Sequence, residues 1–470
     1  MDSEWAAAGF RDREGRALTA KSASEPLTSV AVSTAGPRTH LVRGPSDDDR
    51  GDRRSFAFAL AICLLLVVGS VSWRQKVYFD GGLDPVVVAK AAITALALLL
   101  CLHALLSCAR PNKVGHRSLV FLGLFVAVAT FGGWATGDGM SSVIVAVRVL
   151  MVGAAAFLLV RAFPIDVLLR ALFTAMAAVG VTAVLTGALK VATTGGRLEG
   201  GIPPLAANEI ALLCGVPALA LIWRYLSHRG RGFDVVLILV LTGAVWASES
   251  RTGLAALLVA AVVMLVQARR MSPGAIVGIL MAAAGLLYVL LTTNLLAAYF
   301  DRSNEGSVAT LNSRTIAWSA ALDLPQTTIA WWMGGGLALK RIPVQGQYWT
   351  NQGLDSSWVS AWVQGGLLCV LLLAVWVLGA LVAGGRAPQP YRMLLTAVLT
   401  FQIIRSFLES GLIDATPSFL LFMTMSMLAE AGSRPTLVAA AAAWTGPPAR
   451  APRRGRHSQA PREHRQLLRR

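Results

Sequence analysis

Long apolar runs recur from about residue 55 to residue 430, separated by short polar connectors, and they constrain this chain more than anything else in it. Twelve can be read as spans: 55–73, 85–106, 118–134, 141–160, 166–188, 204–225, 232–248, 253–267, 274–293, 358–383, 392–408 and 412–429. A helix needs ~20 apolar residues to cross a bilayer untilted, and in lipid only a helix or a closed barrel satisfies its own backbone. Charged residues make up 14% of the chain, against roughly 25% in soluble domains. The expected fold class is therefore all-α: a polytopic membrane protein with about 12 transmembrane helices. One long polar stretch interrupts the pattern, at 294–357 between helices 9 and 10.

The net charge of +17 invites a nucleic-acid reading, but its distribution argues for no nucleic acid and for membrane lipids instead. Residues 1–54 carry nine Lys/Arg and nine Asp/Glu, and residues 434–470 carry nine Lys/Arg and one Glu. The rest of the excess lies mostly in short connectors. Both tails, 1–54 and 431–470, are rich in small, polar and charged residues and are expected to be disordered. The first apolar run starts behind a polar tail, unlike a cleavable signal peptide. The five cysteines lie in or beside apolar runs, which implies no disulfide framework. The Ala, Val, Gly and Arg bias fits a GC-rich bacterium, hence a bacterial cell membrane.

Connector charges set the orientation, because Lys and Arg accumulate on the cytoplasmic side. With both termini cytoplasmic, the inner connectors hold eleven Lys/Arg and the short outer ones five. The 294–357 loop is then extracytoplasmic. Topology did not ask for arginines on that side, which makes Arg197, Arg251, Arg302 and Arg314 informative. A guanidinium grips phosphate in two-pronged fashion and keeps its charge. Spans six, eight and ten begin on the same side, and helix N-termini are anion sites. Their starts are polar: Asn208 and Glu209; Ser248, Glu249, Ser250 and Arg251; Asp355, Ser356 and Ser357. Glycines 195–196, 200–201 and 334–336 allow backbone to come close to a ligand. Together these features describe a pyrophosphate site at the outer surface.

Plainer readings stand beside these. Asp355, Ser356 or Ser357 is a natural N-cap for span ten, and Arg251 can snorkel. Leu311, Trp318 and Leu322 share a helical face that suits a helix lying on the membrane, with Arg314 stacking on Trp318. Lys90, Arg148, Arg170, Arg405 and Glu409 are charges within spans. The i, i+4 spacing of Arg405 and Glu409 suggests an internal pair. All six histidines fall near the inner side, so an outer general base must be a carboxylate: Asp355, Glu199, Glu249, Asp301, Glu305 or Asp323. No HExxH, CxxC, Walker or Rossmann pattern occurs; no metal site and no cofactor are expected.

In their order and topology these residues resemble the O-antigen ligase and O-antigen polymerase (Wzy-type) family of bacterial membrane glycosyltransferases. The resemblance covers about residues 55–430 and makes that region an O-antigen ligase-like domain. It is carried by Arg197 with Asn208, the turn Ser250 to Gly253, Arg314 followed by Trp318, glycines 334–336 and the run DSSWVSAWVQGG. The family's ligases place a histidine, a small polar residue, nine residues and a glycine; Asp355, Ser356 and Gly366 fit that frame, with aspartate in place of histidine. The resemblance implies a metal-independent, inverting glycosyltransferase. It would move a glycan from an undecaprenyl-diphosphate carrier to a glycan or lipid acceptor. Arg197, Arg251, Arg314 and Asn208 would hold the pyrophosphate, with Asp355 and Arg314 catalytic.

Two other readings remain open. A transferase using a polyprenyl-monophosphate donor would favour acids in its first outer loop, where Asp80 and Asp84 lie. A polysaccharide exporter or secondary transporter should show related halves, and no such symmetry is evident.

Overall fold

The computed structural model describes residues 47–73, 84–194, 198–268, 307–324, 327–344 and 351–445. Within them lie fourteen α-helices and one short β-hairpin. The helices are α1 (Asp47–Ser70), α2 (Pro85–Leu106), α3 (Arg117–Ala135), α4 (Gly139–Ala162), α5 (Ile165–Thr194), α6 (Ala207–Leu226), α7 (Gly232–Ala247) and α8 (Arg251–Gln267). They continue with α9 (Ser307–Leu322), α10 (Thr328–Met333), α11 (Ser357–Gly385), α12 (Tyr391–Leu408), α13 (Pro417–Ala429) and α14 (Arg434–Thr445). Strands β1 (Arg341–Pro343) and β2 (Asn351–Gly353) pair antiparallel.

Among the described residues, eight helices contain a segment long and apolar enough to cross a membrane: α1 to α6, α11 and α12. Helices α7, α8 and α13 are apolar but shorter. Their runs were expected as spans at 232–248, 253–267 and 412–429, each shorter than ~20 residues. Many large apolar side chains point outward, including Leu99, Phe131, Trp134, Leu371 and Leu378, each more than half exposed. Water would not tolerate that surface on so many helices, whereas lipid requires it. This is a multi-pass membrane protein. The expected ninth span, 274–293, lies outside the described residues, as do 1–46, 446–470 and, in the polar loop, 294–306, 325–326 and 345–350. The described parts of the two tails are helical where disorder was expected: α1 already starts at Asp47, and α14 occupies Arg434–Thr445.

The helices pack around one extended apolar core that includes Phe125, Leu159, Leu172, Phe401, Phe419 and Phe422. Helix α8 packs on α12, α6 on α5, α7 and α8, and α11 on α3 and α12. Buried residues make up most of α6 and α13, so these two occupy the interior. Polar side chains cap the apolar helices where the chain turns. Glu430 accepts from the backbone N–H groups of Arg117 (2.9 Å) and Ser118 (2.6 Å) at the start of α3, and Asp84 accepts from Val86 at the start of α2 (3.2 Å). A second, smaller core of Ala317, Ala321, Ile342, Val344, Leu354 and Val363 lies between α9, the hairpin and α11.

That smaller core takes small residues from α9. Ala317 and Ala321 face the protein, while Leu322 is 64% exposed. The small side chains let α9 lie close against the hairpin, with Ile316 packed beside them, while Leu322, part of the expected membrane-lying face, is turned outward.

Helix α11 is broken at Gly366, where φ is 63°. A Cβ there would approach the carbonyl carbon of Trp332 to 2.4 Å. At the break, the carbonyls of Val363 and Gln364 accept from Gly335 (2.8 Å) and Gly336 (2.9 Å). The backbone approach allowed by glycines 334–336 is therefore an approach to α11. Gly366→Ala should destabilise the purified protein by more than about 1 kcal/mol. Gly123→Ala, mid-helix with open space around it, should be neutral or stabilising. Thermal unfolding in detergent separates the two.

Candidate active site

Four helix ends and one loop helix meet around a polar cluster. Helix α6 begins there because Pro203-Pro204 cannot continue a helix, which puts Asn208 and Glu209 in its first turn. Helix α8 begins at Arg251 with Ser250 as its N-cap; the Ser250 hydroxyl accepts from Gly253 N–H (3.2 Å). Helix α11 begins at Ser357, and Glu409 caps the end of α12. Helix α9 brings Arg314 in from the loop.

Their side chains form one connected network. The Ser250 hydroxyl donates to Asn208 Oδ1 at 2.7 Å, and the Asn208 amide donates to Glu409 Oε1. Arg314 Nη2 lies 3.6 Å from the same Glu409 oxygen. Arg314 Nε lies 3.6 Å from Asp355 Oδ2. Behind them, Arg405 donates to the backbone carbonyl of Asn208 at 2.9 Å. The Glu409 carbonyl accepts from both the hydroxyl (2.8 Å) and the N–H (3.2 Å) of Ser357. Five elements distant in sequence are thus tied through two carboxylates and one guanidinium.

The network decides between roles that sequence left open. Capping of α11 falls to Ser356, whose hydroxyl accepts from Val359 N–H. The Asp355 carboxylate is directed to Arg314 instead. Its side chain is 50% exposed, against 24% for Arg314 and 15% for Glu409. Even so, the surrounding protein removes enough water to push the Asp355 carboxyl above the ordinary carboxylate range, against the pull of Arg314. Burial pushes Glu409 up as well; Arg405 and Arg314 oppose this, and Asp355 adds to it.

A pocket of about 20 Å³ is walled by Arg314, Ala317, Trp318, Gln352, Gly353 and Asp355, room for about one water. The buried Trp318 Nε1–H has no hydrogen-bond partner among the described residues. Buried donors are rarely left so, which marks this wall as one suited to an acceptor atom.

The expected residues fall out as follows. Asn208, Arg314 and Asp355 belong to the network, and Arg251 stands exposed beside Ser250 at the start of α8. Arg197, Arg302, Asp301, Glu305 and Asp80 lie outside the described residues. Asp84 caps α2. Glu409 is the residue that sequence reasoning missed. Among the described residues its close ion-pair contact, at 3.6 Å, is with Arg314, while Arg405 one turn away acts on it as the expected charge partner without such a contact. One signal pointed to it: the expected topology put the end of span eleven on the same surface as the starts of spans six, eight and ten.

Glu409→Ala strands Asn208 and Arg314 and should cost about 1–3 kcal/mol of stability. Glu409→Gln, which keeps an acceptor, should cost less. Melting of both variants in detergent checks this.

A search of curated proteins finds no match to the chain. A family model does match: residues 235–374 fit the family described as O-antigen ligase. That stretch includes Arg251, Arg314, Asp355 and Gly366 and leaves out Asn208 and Glu409, so it is narrower than the resemblance traced along the whole membrane region. From α7 to the middle of α11, this membrane protein is similar to the O-antigen ligase family.

Proposed function

We propose that the protein is a membrane glycosyltransferase of the O-antigen ligase or polymerase type. It transfers a glycan from an undecaprenyl-diphosphate carrier to an acceptor hydroxyl at the outer face of a bacterial cell membrane. The observation that carries this reading is the Asp355–Arg314–Glu409 cluster, with Arg314 and Asp355 inside the family-matched segment. The outer placement rests on the charge count of the connectors, with both termini cytoplasmic.

In the proposed step, Asp355 accepts the proton of the acceptor hydroxyl as its oxygen attacks the anomeric carbon. The carbon–oxygen bond to the carrier diphosphate breaks on the opposite face, so the configuration inverts. The bonding pair leaves with the diphosphate. Arg314, Arg251 and Arg197 receive that developing charge, and Asn208 orients it from the start of α6. Guanidinium groups supply the positive charge, so the mechanism requires no metal. The raised pKa of Asp355 makes it a stronger base than an ordinary carboxylate. Arg314 now holds two carboxylates, and donor binding would exchange part of that hold for phosphate oxygens.

The test is transfer from a synthetic lipid-diphosphate-linked glycan by purified protein, together with surface-polysaccharide length in cells. Asp355→Asn should lower turnover about 10²–10⁴-fold, the range for losing a general base. In the wild type the rate should fall as pH drops through the raised Asp355 pKa, at a higher pH than the ~3.9 of a free aspartate. Asp355→Asn should flatten that limb. Arg314→Lys should lose most of the activity, because a lysine cannot bridge two anions in the same plane. Full activity and normal chains from stably expressed Asp355→Asn would remove Asp355 from the mechanism.

A further inference from the structure

A cavity much larger than the pocket beside Asp355 lies away from this cluster. A groove of about 770 Å³ runs between α5, α6 and α7, within the range of ligand sites, ~300–1,000 Å³. Its walls are apolar and include Phe173, Ala177, Val181, Leu237 and Val240. Its mouth carries four arginines, Arg170, Arg224, Arg229 and Arg231, and one carboxylate, Asp166.

Four arginines here face two carboxylates, Asp166 and the neighbouring Asp234. Asp166 Oδ1 accepts from the Tyr391 hydroxyl at 2.5 Å. The buried Asp234 holds Arg224 at 3.3 Å and accepts from Arg231 N–H at 2.9 Å. The mouth therefore keeps a positive excess. Arg170, Arg229 and Arg231 are exposed, and α5 and α7 both begin there, adding partial positive charge. Helix α6 runs from the candidate active site, at Asn208, to this mouth, at Arg224. Sixteen residues of α6 (224 − 208) separate the two by about 24 Å, most of the ~30 Å hydrocarbon thickness. The groove thus opens at the opposite face of the membrane and belongs to a different ligand from the glycan donor.

We propose that this groove is a binding site for an anionic phospholipid of the leaflet opposite the candidate active site. Its phosphate rests among Arg170, Arg229 and Arg231, and an acyl chain lies along Phe173, Val181 and Val240. The charge of the mouth selects an anionic headgroup, and the apolar walls select a chain over a free phosphate. The lipid fills the gap between α5 and α7 and so stabilises the helix, α6, that carries Asn208.

The test uses the full-length protein in neutral detergent with mixed micelles of phosphatidylglycerol or phosphatidylcholine, and with glycerol phosphate as the headgroup alone. Phosphatidylglycerol should raise the melting temperature saturably, while phosphatidylcholine and glycerol phosphate should not. Arg170→Glu/Arg231→Glu should weaken the phosphatidylglycerol titration at least about tenfold, two reversed charges at a lipid surface exceeding that factor. Its melting temperature in phosphatidylcholine should stay that of the wild type. Val240→Trp should block the chain and reduce the shift. Arg110→Glu, an exposed charge in a different connector, should leave the titration unchanged. Equal shifts with both lipids, a full response to glycerol phosphate, or an undiminished phosphatidylglycerol titration in the double variant would overturn the proposal.

Discussion

Arg314 carries one positive charge and faces two carboxylates, Asp355 and Glu409. The local sum is negative unless one acid keeps its proton or another cation helps. Arg405 helps from behind: it is 5% exposed and gives a hydrogen bond to the backbone of Asn208. Charges this deep are tolerated only when paired and hydrogen-bonded, so each member depends on the others. A site poised in this way has room for one more anion only if the carboxylates yield part of Arg314.

The apolar packing explains why these groups can meet. Transmembrane helices bury polar residues at their ends, where the chain turns and backbone groups need partners. Helices α6, α8, α11 and α12 all present an end at one level of the membrane, and every side chain of the network comes from such an end or from α9. Ser250, Ser356 and Glu409 each serve as a cap. Glu409 also joins the network, and Ser250 does so by donating to Asn208. Structural and chemical roles share residues here, which is why sequence alone could not separate them.

The bundle itself was readable, because a long apolar run has few alternatives to a membrane helix. Where the expected spans fall on described residues, a helix is present at each of them. Arg314, Asp355 and Asn208 were found by asking which polar residues topology did not require. Glu409 escaped because a spacing of four from Arg405 offered a local partner, whereas its ion-pair partner lies 95 residues away in the chain (409 − 314). The glycines at 334–336 were legible as a close approach, but not as an approach to α11; that pairing follows from three-dimensional proximity alone. For α9 the sequence pattern drew attention to Leu311, Trp318 and Leu322 as a membrane-lying face; the residues it packs inward are the small Ala317 and Ala321, which that pattern did not single out.

The break in α11 links the loop to the cluster mechanically. Backbone hydrogen bonds fasten Gly335 and Gly336 to Val363 and Gln364, Trp362 donates to the carbonyl of Ala321, and Lys340 pairs with Asp414. The nine residues from Ser357 to Gly365 thus form a short rod, hinged at Gly366 and stapled to α9 and the glycine turn. Asp355 stands just ahead of one end of that rod, and the hinge lies about 15 Å away along the helix axis. The seating of this rod on the glycine turn at one end, and of Ser357 on the Glu409 carbonyl at the other, together fix where Asp355 stands relative to Glu409.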